Sequence, residues 1–312
     1  MNRKRREGRK TSKRKGETKE MGTRGAYGIR KNGVDKITYN HFDSYPEGLG
    51  ADFAKFCARL GKDGLSKLFD AIELVSERSK PSAEQIETCV RAGYYNSSVS
   101  NRSVEDWYCL LRNLMGNFDE YERLAETGET VYMIDSSGFL KDSLFCEYAY
   151  VANLDDEILE FWVGFQKRPQ AGNRYGEKAN DGYYPCRLTK TFPLDGLTLT
   201  KAKEIVAAMD NASRAEEADP ETATKLAEAT GMTYEDAAEA VVLLAETEKG
   251  LPEDLSEIFF WKSKEKFARE VAAAICGDDE ILDFIDYEGY ADELTKSGTY
   301  VVLSDGKLVG YS

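Results

Sequence analysis

From Gly22 onward, apolar and polar residues alternate in patterns typical of short strands and one-sided helices. Two runs of β-forming residues flank the turn pair Asn32-Gly33, which predicts a β-hairpin. Apolar residues over 53–75 then recur at the i, i+3, i+4, i+7 spacing of a helix with one buried face. Pro81 is suited to the first turn of a second helix over 81–90.

The middle of the chain repeats this alternation. A third helix is predicted over 103–124, and aromatic and branched residues predict a second hairpin with strands over 146–154 and 157–165. The polar stretch 167–182 reads as a loop of a length that is usually functional or mobile. A strand over 183–194 follows it and ends at a proline.

Beyond Thr200 the sequence becomes rich in Ala and Glu, and its apolar stripes predict helices that are followed by a closing hairpin around Ser304-Asp305-Gly306. The predicted fold class is α+β. Length and composition suggest two folded units. The predicted organisation is a disordered basic tail over 1–21, an α+β domain of unknown function over 22–200, an acidic linker over 201–217 and an acidic α+β domain over 218–312.

Charge is distributed very unevenly along the chain. The net charge of −14 over 312 residues combines +7 for residues 1–20, −6 for 21–200 and −15 for 201–312. The first twenty residues hold no apolar side chain after Met1, so their ordering has nothing to offset its entropy. They are read as a nucleic-acid arm, a solubilising tail, or a stretch before a start at Met21.

Several classes of protein are disfavoured by composition. No apolar run is long enough for a membrane span or a secretory signal, which predicts a cytoplasmic protein without a membrane partner. Six dispersed cysteines and one histidine offer no metal-ligand spacing. We therefore expect no metal and no cofactor. A homodimer is left open.

The run 40–50 holds the densest set of potentially reactive groups. His41 is the only histidine, and it can carry a proton near pH 7 with Asp43 or Ser44 beside it. This keeps open an alternative function as a hydrolase or transferase, including one of the N-terminal-nucleophile kind if cleavage exposed Thr23. The competing interpretation is that His41 and Asn40 fix a strand-to-turn junction.

The acidic part suggests a different activity. The stretch 226–246 has the outline of a helix-turn-helix, but its surplus of carboxylates argues against direct DNA binding by the acidic domain. Carboxylates at i, i+3 and i+4 on a helix lie about 5 to 6 Å apart, so they can imitate the dense negative charge of DNA.

Two resemblances sharpen this expectation. The runs GMTYEDAAEAVVLLAE, SKEKFAREVAA and FIDYEGYADELTKSGTYVVLSDGKLVGY resemble the C-terminal part of ArdA-type antirestriction proteins of phages and mobile elements, with Ile285 where that family has an aromatic residue. The N-terminal part, including RGAYGIRKNGVDKITYNHFDSYPEGLG, resembles an uncharacterised group of phage and microbial proteins.

The first resemblance implies a nucleic-acid mimic that binds a host restriction or other defence protein, without catalysis. Acidic side chains of the C-terminal helices are then the candidate contacts with that partner. These are Asp278, Asp279, Glu280, Asp283, Asp286, Glu288, Asp292 and Glu293.

Overall fold

The computed structural model describes residues 22–99, 102–216, 218–247, 249–276, 285–296, 300–303 and 306–311. The fold is α+β, as predicted. The basic segment 1–21, predicted to be disordered, lies outside the described residues. Within the described residues, no helix is both long and apolar enough to cross a membrane.

The larger unit is built on one five-stranded sheet of order β2-β1-β5-β6-β7. Strands β1 and β5 are parallel, and the other neighbours are antiparallel. Both predicted hairpins, β1–β2 and β5–β6, are confirmed. Its strands are β1 (Gly25–Lys31), β2 (Val34–Asn40), β5 (Tyr148–Asn153), β6 (Ile158–Val163) and β7 (Arg187–Pro193).

Alternate residues of these strands pack into two separate cores, one on each face of the sheet, because successive side chains of a strand point to opposite faces. On one face, Tyr27, Tyr150 and Phe161 pack in a large aromatic and aliphatic core against helices. On the other face, Ala149 and Trp162 pack under a 3₁₀ helix, Ser137–Lys141, and under the loop that follows β6. The sheet is therefore buried on both sides.

The described residues of this unit include five α-helices, and a π-helical turn at Pro46–Gly50 leads into the first. A second, two-stranded parallel sheet pairs β3 (Ile72–Val75) with β4 (Val131–Ile134). The helices are α1 (Ala51–Ala71), α2 (Ala83–Arg91), α3 (Trp107–Leu110), α4 (Phe118–Thr127) and α5 (Leu199–Ala215).

Three predictions need correction here. The helix expected over 53–75 ends at Ala71, and its last apolar residues form β3. The helix expected over 103–124 is two helices, since a left-handed Gly116 and the Asn117 cap separate α3 from α4. The segment 201–217, expected to be an acidic linker, is mostly helix α5, because its apolar stripe packs into the main core.

The C-terminal unit is a three-layer sandwich. A small antiparallel sheet of order β8-β10-β9 contains the predicted closing hairpin and one strand that was not predicted, β8. Helices α6 and α7 cover one face, and α8 and α9 cover the other. The elements are α6 (Pro220–Thr230), α7 (Tyr234–Ala245), β8 (Phe259–Trp261), α8 (Lys264–Cys276), α9 (Tyr287–Thr295), β9 (Tyr300–Val302) and β10 (Leu308–Gly310).

Candidate functional site

Four of the eight predicted partner-contacting carboxylates, Asp278, Asp279, Glu280 and Asp283, lie outside the described residues. The other four belong to helix α9 or its cap, and all are exposed. They are Asp286, Glu288, Asp292 and Glu293.

Not all of these four carry free negative charge. Asp286 caps α9 by accepting a hydrogen bond from the Gly289 backbone at 3.1 Å. Asp292 accepts one from Lys264 at 2.7 Å, and this ammonium holds the pKa of Asp292 below its usual value. Glu293 is paired with Lys296. Glu288 is therefore the residue on α9 most available to a cationic partner.

The acidic surface extends well beyond α9. Between 218 and 311, the described residues include fourteen exposed carboxylates and six exposed Lys or Arg side chains. Some carboxylates are paired along their helix, as Glu221 is with Lys225 at 2.7 Å. The set lies on both helical layers of the C-terminal unit and on the segments between them, and we call it as a whole the acidic face. It consists of Asp219, Glu221, Glu228, Glu235, Glu246, Glu253, Asp254, Glu257, Glu265, Glu270, Asp286, Glu288, Asp292 and Glu293.

The second predicted site, around His41, follows the end of β2. The His41 ring is exposed, and its Nδ1 lies 2.8 Å from the Tyr39 hydroxyl. Partial burial and the nearby Arg112 and Arg24 guanidinium groups lower the pKa of His41. These surroundings therefore favour the neutral imidazole over the imidazolium.

The polar groups next to His41 serve the backbone. Ser44 is fully buried, and its hydroxyl accepts a hydrogen bond from the Asn40 amide at 2.9 Å. Asp43 has a φ of +50°, and its carbonyl accepts the Leu49 N–H at 2.8 Å. This agrees with a junction that Asn40 fixes. A buried, bonded hydroxyl is unsuited to attack an external substrate, so the hydrolase or transferase alternative gains no support from this geometry.

The sequence did not reveal a cleft of about 770 Å³ between the β6–β7 edge and helices α5, α6 and α7. One wall carries cationic side chains after β6 and on β7, and the other carries polar and acidic side chains. The cationic wall includes Lys167, Arg168, Arg187 and Lys190, and the opposite wall includes Ser213, Glu216, Tyr234, Glu235 and Glu239.

A three-residue network closes one part of the cleft. Arg187 Nε donates to the buried Gln166 side-chain oxygen at 2.9 Å, and Gln166 Nε2 donates to Glu216 at 3.3 Å. Arg187 Nε also lies 3.8 Å from the Glu216 carboxylate. Burial raises the pKa of Glu216, although Arg187 and Gln166 partly oppose this, and Glu235 adds to the rise. The cleft thus offers both a cationic wall and a carboxyl group whose pKa is raised.

Sequence reasoning missed the cleft because its walls are distant in the chain. Gln166 and Glu216 lie 50 positions apart, and the acidic composition of the segment that contains Glu216 predicts a linker. The only signal was the cationic start of the 167–182 loop. Among the described residues, no group of three or more His, Cys, Asp or Glu side chains is placed to hold a metal ion.

Comparison of the chain with protein-family models, with curated proteins and with solved structures gave no match. The two resemblances therefore stay predictions.

Proposed function

We propose that the protein is an anti-defence protein of a phage or mobile element, and that its acidic face occupies the DNA-binding groove of a host restriction or other defence protein. Its site of action is then the cytoplasm of the bacterial host. The observation that carries the proposal is the segregation of charge along the chain. Residues 201–312 have a net charge of −15, whereas residues 1–20 have a net charge of +7.

The physical basis is imitation of a polyanion. A DNA-binding groove gains much of its affinity from contacts with phosphates. Carboxylates fixed on helices can supply similar charge, and helices α6 to α9 are held on both faces of one small sheet by packed apolar side chains. Such a scaffold keeps the carboxylates at fixed separations, so their field does not disperse through side-chain and loop motion.

Free carboxylates should contribute more than paired ones. Glu228 on α6, Glu257 before β8 and Glu288 on α9 are exposed, and no Lys or Arg among the described residues lies within ion-pair distance of them. Their charge is uncompensated locally. These three are therefore the sharpest probes of the acidic face.

The decisive experiment is a pull-down of the full chain against a panel of purified restriction and defence complexes, followed by competition with DNA. We expect one complex to bind, DNA to displace the protein, and binding to weaken steeply as salt is raised from 50 to 300 mM, because such contacts are screened. Binding that is insensitive to salt or to DNA would contradict the mimicry.

Matched variants separate the acidic face from general charge effects. The triple change Glu228→Gln, Glu257→Gln and Glu288→Gln removes three negative charges from the C-terminal unit. The control Glu73→Gln, Glu77→Gln and Glu126→Gln removes three exposed carboxylates from the larger unit. Affinity should fall on the order of tenfold for the first variant, as expected for several exposed charge pairs, and stay near wild type for the second. Equal losses would place the contact elsewhere.

A further inference from the structure

Two cationic side chains of the cleft are placed by an irregularity of strand β7. Arg187 and Lys190 are three positions apart, so on a regular strand they would point to opposite faces of the sheet. A β-bulge interrupts the pairing of β6 with β7 between them, and Val163 lies opposite Arg187 while Phe161 lies opposite Lys190. Directly opposite residues share a face, and Val163 and Phe161 both belong to the main core. The bulge therefore brings both cations to the face of the sheet that helix α5 covers.

Arg168 and Lys190 are the cations of the cleft that a ligand can engage. Arg187 is already bonded within the network described above, and the Lys167 ammonium lies 3.1 Å from the Tyr183 ring centre. Arg168 and Lys190 both line the cleft. Within the part of the chain that the structure describes, neither has a carboxylate within ion-pair distance. One wall of the cleft thus presents two cationic groups to an anion.

Each wall of the cleft also carries an exposed aromatic ring. Phe165, which follows β6, is 48% exposed, and Tyr234, the first residue of α7, is 38% exposed. Phe165 has a φ of +55°, a left-handed conformation that is uncommon for a bulky residue, and its N–H donates to the Ser143 carbonyl at 2.7 Å. Among the described residues, neither ring has another aromatic ring or a cationic group within stacking distance. Both rings therefore offer flat apolar surface to a ligand.

The wall formed by helices α5 and α7 presents hydrogen-bond acceptors, and we call it the acidic wall. Glu235 is exposed, and no Lys or Arg of the described residues lies within ion-pair distance of it. The Glu216 side chain is 28% exposed, and Ser213 adds a hydroxyl. Glu147 and the buried Glu239 also line the cleft. A ligand that fills the cleft must therefore carry negative charge at one end and N–H or O–H donors at the other.

Contacts between elements hold the walls in place. Arg214 on α5 donates to Glu246 at the end of α7 at 2.7 Å and to Asp210 at 3.0 Å. The Tyr148 hydroxyl on β5 lies 3.0 Å from the Ser213 hydroxyl on α5. The cleft volume of about 770 Å³ lies within the range of about 300 to 1,000 Å³ that is typical of small-molecule sites. The cleft is therefore preformed and large enough for a small organic ligand.

We propose that the cleft binds a nucleoside phosphate. The phosphate binds Arg168 and Lys190. The base packs on Phe165 or Tyr234, and its N–H groups, with the ribose hydroxyls, donate to the acidic wall. A nucleoside phosphate combines an anion, a flat ring and hydrogen-bond donors in one molecule. Inorganic phosphate would leave both rings uncovered, and an acidic peptide would bring its carboxylates against the acidic wall.

The test measures binding of ADP, GDP and UDP to the full chain by isothermal titration calorimetry, with pyrophosphate and the corresponding nucleosides as the two parts of each ligand. We expect at least one of the three nucleotides to bind with a Kd below about 1 mM. Pyrophosphate should bind on the order of tenfold more weakly, because it lacks the base. The nucleoside should also bind on the order of tenfold more weakly, because it lacks the hydrogen bonds to charged groups.

Variants of the two cations test the phosphate contacts. Arg168→Gln with Lys190→Gln should weaken binding of both the nucleotide and pyrophosphate by at least about tenfold. The control Lys67→Gln with Arg78→Gln removes two exposed cations that do not line the cleft, and it should bind both ligands like wild type.

Variants of the two rings test the base contact separately. Phe165→Leu with Tyr234→Leu should weaken nucleotide binding on the order of tenfold and leave pyrophosphate binding unchanged. The single variants identify the ring that the base contacts, and they replace the double variant if it fails to fold. Phe259→Leu, which removes an exposed ring on β8, is the control and should change neither affinity.

Four results would overturn the proposal. The first is that none of the three nucleotides binds at about 1 mM, and the second is that pyrophosphate binds as tightly as the nucleotides. The third is a folded Arg168→Gln, Lys190→Gln variant with wild-type affinity. The fourth is that folded variants of both rings keep wild-type affinity for the nucleotide.

Discussion

At the scale of single residues, a buried ion pair decides how the long 167–182 loop is held. Arg174, in the middle of that loop, donates to both oxygens of Glu160 on β6 at 2.6 Å each. The Glu160 carboxylate, 2% exposed, also accepts from Asn153 at 2.7 Å and Trp162 at 2.9 Å. The guanidinium lies 4.7 Å from the Trp162 ring centre. The loop predicted to be functional or mobile is therefore anchored to the sheet.

Removal of either partner should destabilise the fold. We expect Arg174→Ala to lower the free energy of unfolding by about 3 to 5 kcal/mol, because it leaves the buried Glu160 carboxylate without its counterpart. Glu160→Ala should cost less, since the Arg174 guanidinium keeps the Asp35 carboxylate at 3.5 Å. The double variant should cost less than the sum of the two. Urea denaturation followed by tryptophan fluorescence provides the measurement.

The exposed pair Lys80–Glu105 serves as the control, since its side chains are 79% and 59% exposed. Lys80→Ala should leave the urea midpoint near that of wild type, as exposed pairs contribute little. A midpoint for Arg174→Ala equal to that of Lys80→Ala would show that the loop is not held through this pair.

How much the sequence revealed differs sharply between residues of this network. The strand that carries both residues was predicted from its aromatic and branched side chains, but nothing in the local pattern marked Glu160 as buried. Its partner Arg174 lies in a stretch with no periodicity, and such long-range pairing leaves no local signal. For the same reason the His41 run was recognised as polar and dense, while the contribution of Arg112 to its surroundings was not.

At the scale of elements, helix α5 ends on a carboxylate. Glu216 is the C-terminal cap of α5, where the last backbone carbonyls concentrate partial negative charge. Burial at the wall of the cleft raises the pKa of Glu216 above that of the unfolded chain. The folded state therefore holds the proton more tightly than the unfolded state.

The sign of the pH dependence follows. Stability from the protonated Glu216 is fully present below its unfolded pKa of about 4.3 and is lost as pH rises through the higher folded pKa. Glu216→Gln, which keeps a neutral side chain, should melt close to wild type at pH 4 and above it at pH 7. Thermal melts from pH 4 to 8 measure the difference. Glu204→Gln, which removes an exposed carboxylate from the same helix, serves as the control.

The elements predicted correctly were those whose formation depends mainly on residues close in sequence. Hairpins with a turn pair such as Asn32-Gly33 depend on neighbours in sequence, and both were found. The strand β3 depends on a distant partner, because Ile72 pairs with Val131 in a parallel ladder. Its Ile-Glu-Leu-Val run also fitted the helical spacing that precedes it, so the switch at Ala71 left no separate signal.

At the scale of the whole molecule, the buried apolar side chains of the described residues form four clusters, two before residue 217 and two after it. Helix α5 belongs to the main core, since Ala202, Ile205, Met209 and Ala212 pack into it against α1. Its C-terminal end also contacts α7. The division into two folding units remains a prediction, but the first unit must include α5.

This placement makes a specific prediction for fragments of the protein. A fragment 22–200 lacks almost all of α5 and exposes the core surface that Ile205 and Met209 cover, whereas 22–216 retains it. Full burial of one large aliphatic side chain contributes about 1.5 to 3 kcal/mol, so loss of the helix should remove several kcal/mol from a domain of ordinarily marginal stability.

We expect 22–216 to show a cooperative thermal transition. The fragment 22–200 should aggregate or melt at least 10 °C lower. Calorimetry and circular dichroism on the two fragments measure this, with 22–216 carrying Lys203→Ala as a control that alters only the exposed side of α5. If 22–200 melts at the temperature of 22–216, α5 contributes nothing to the first core, and the boundary belongs at residue 200 as the sequence suggested.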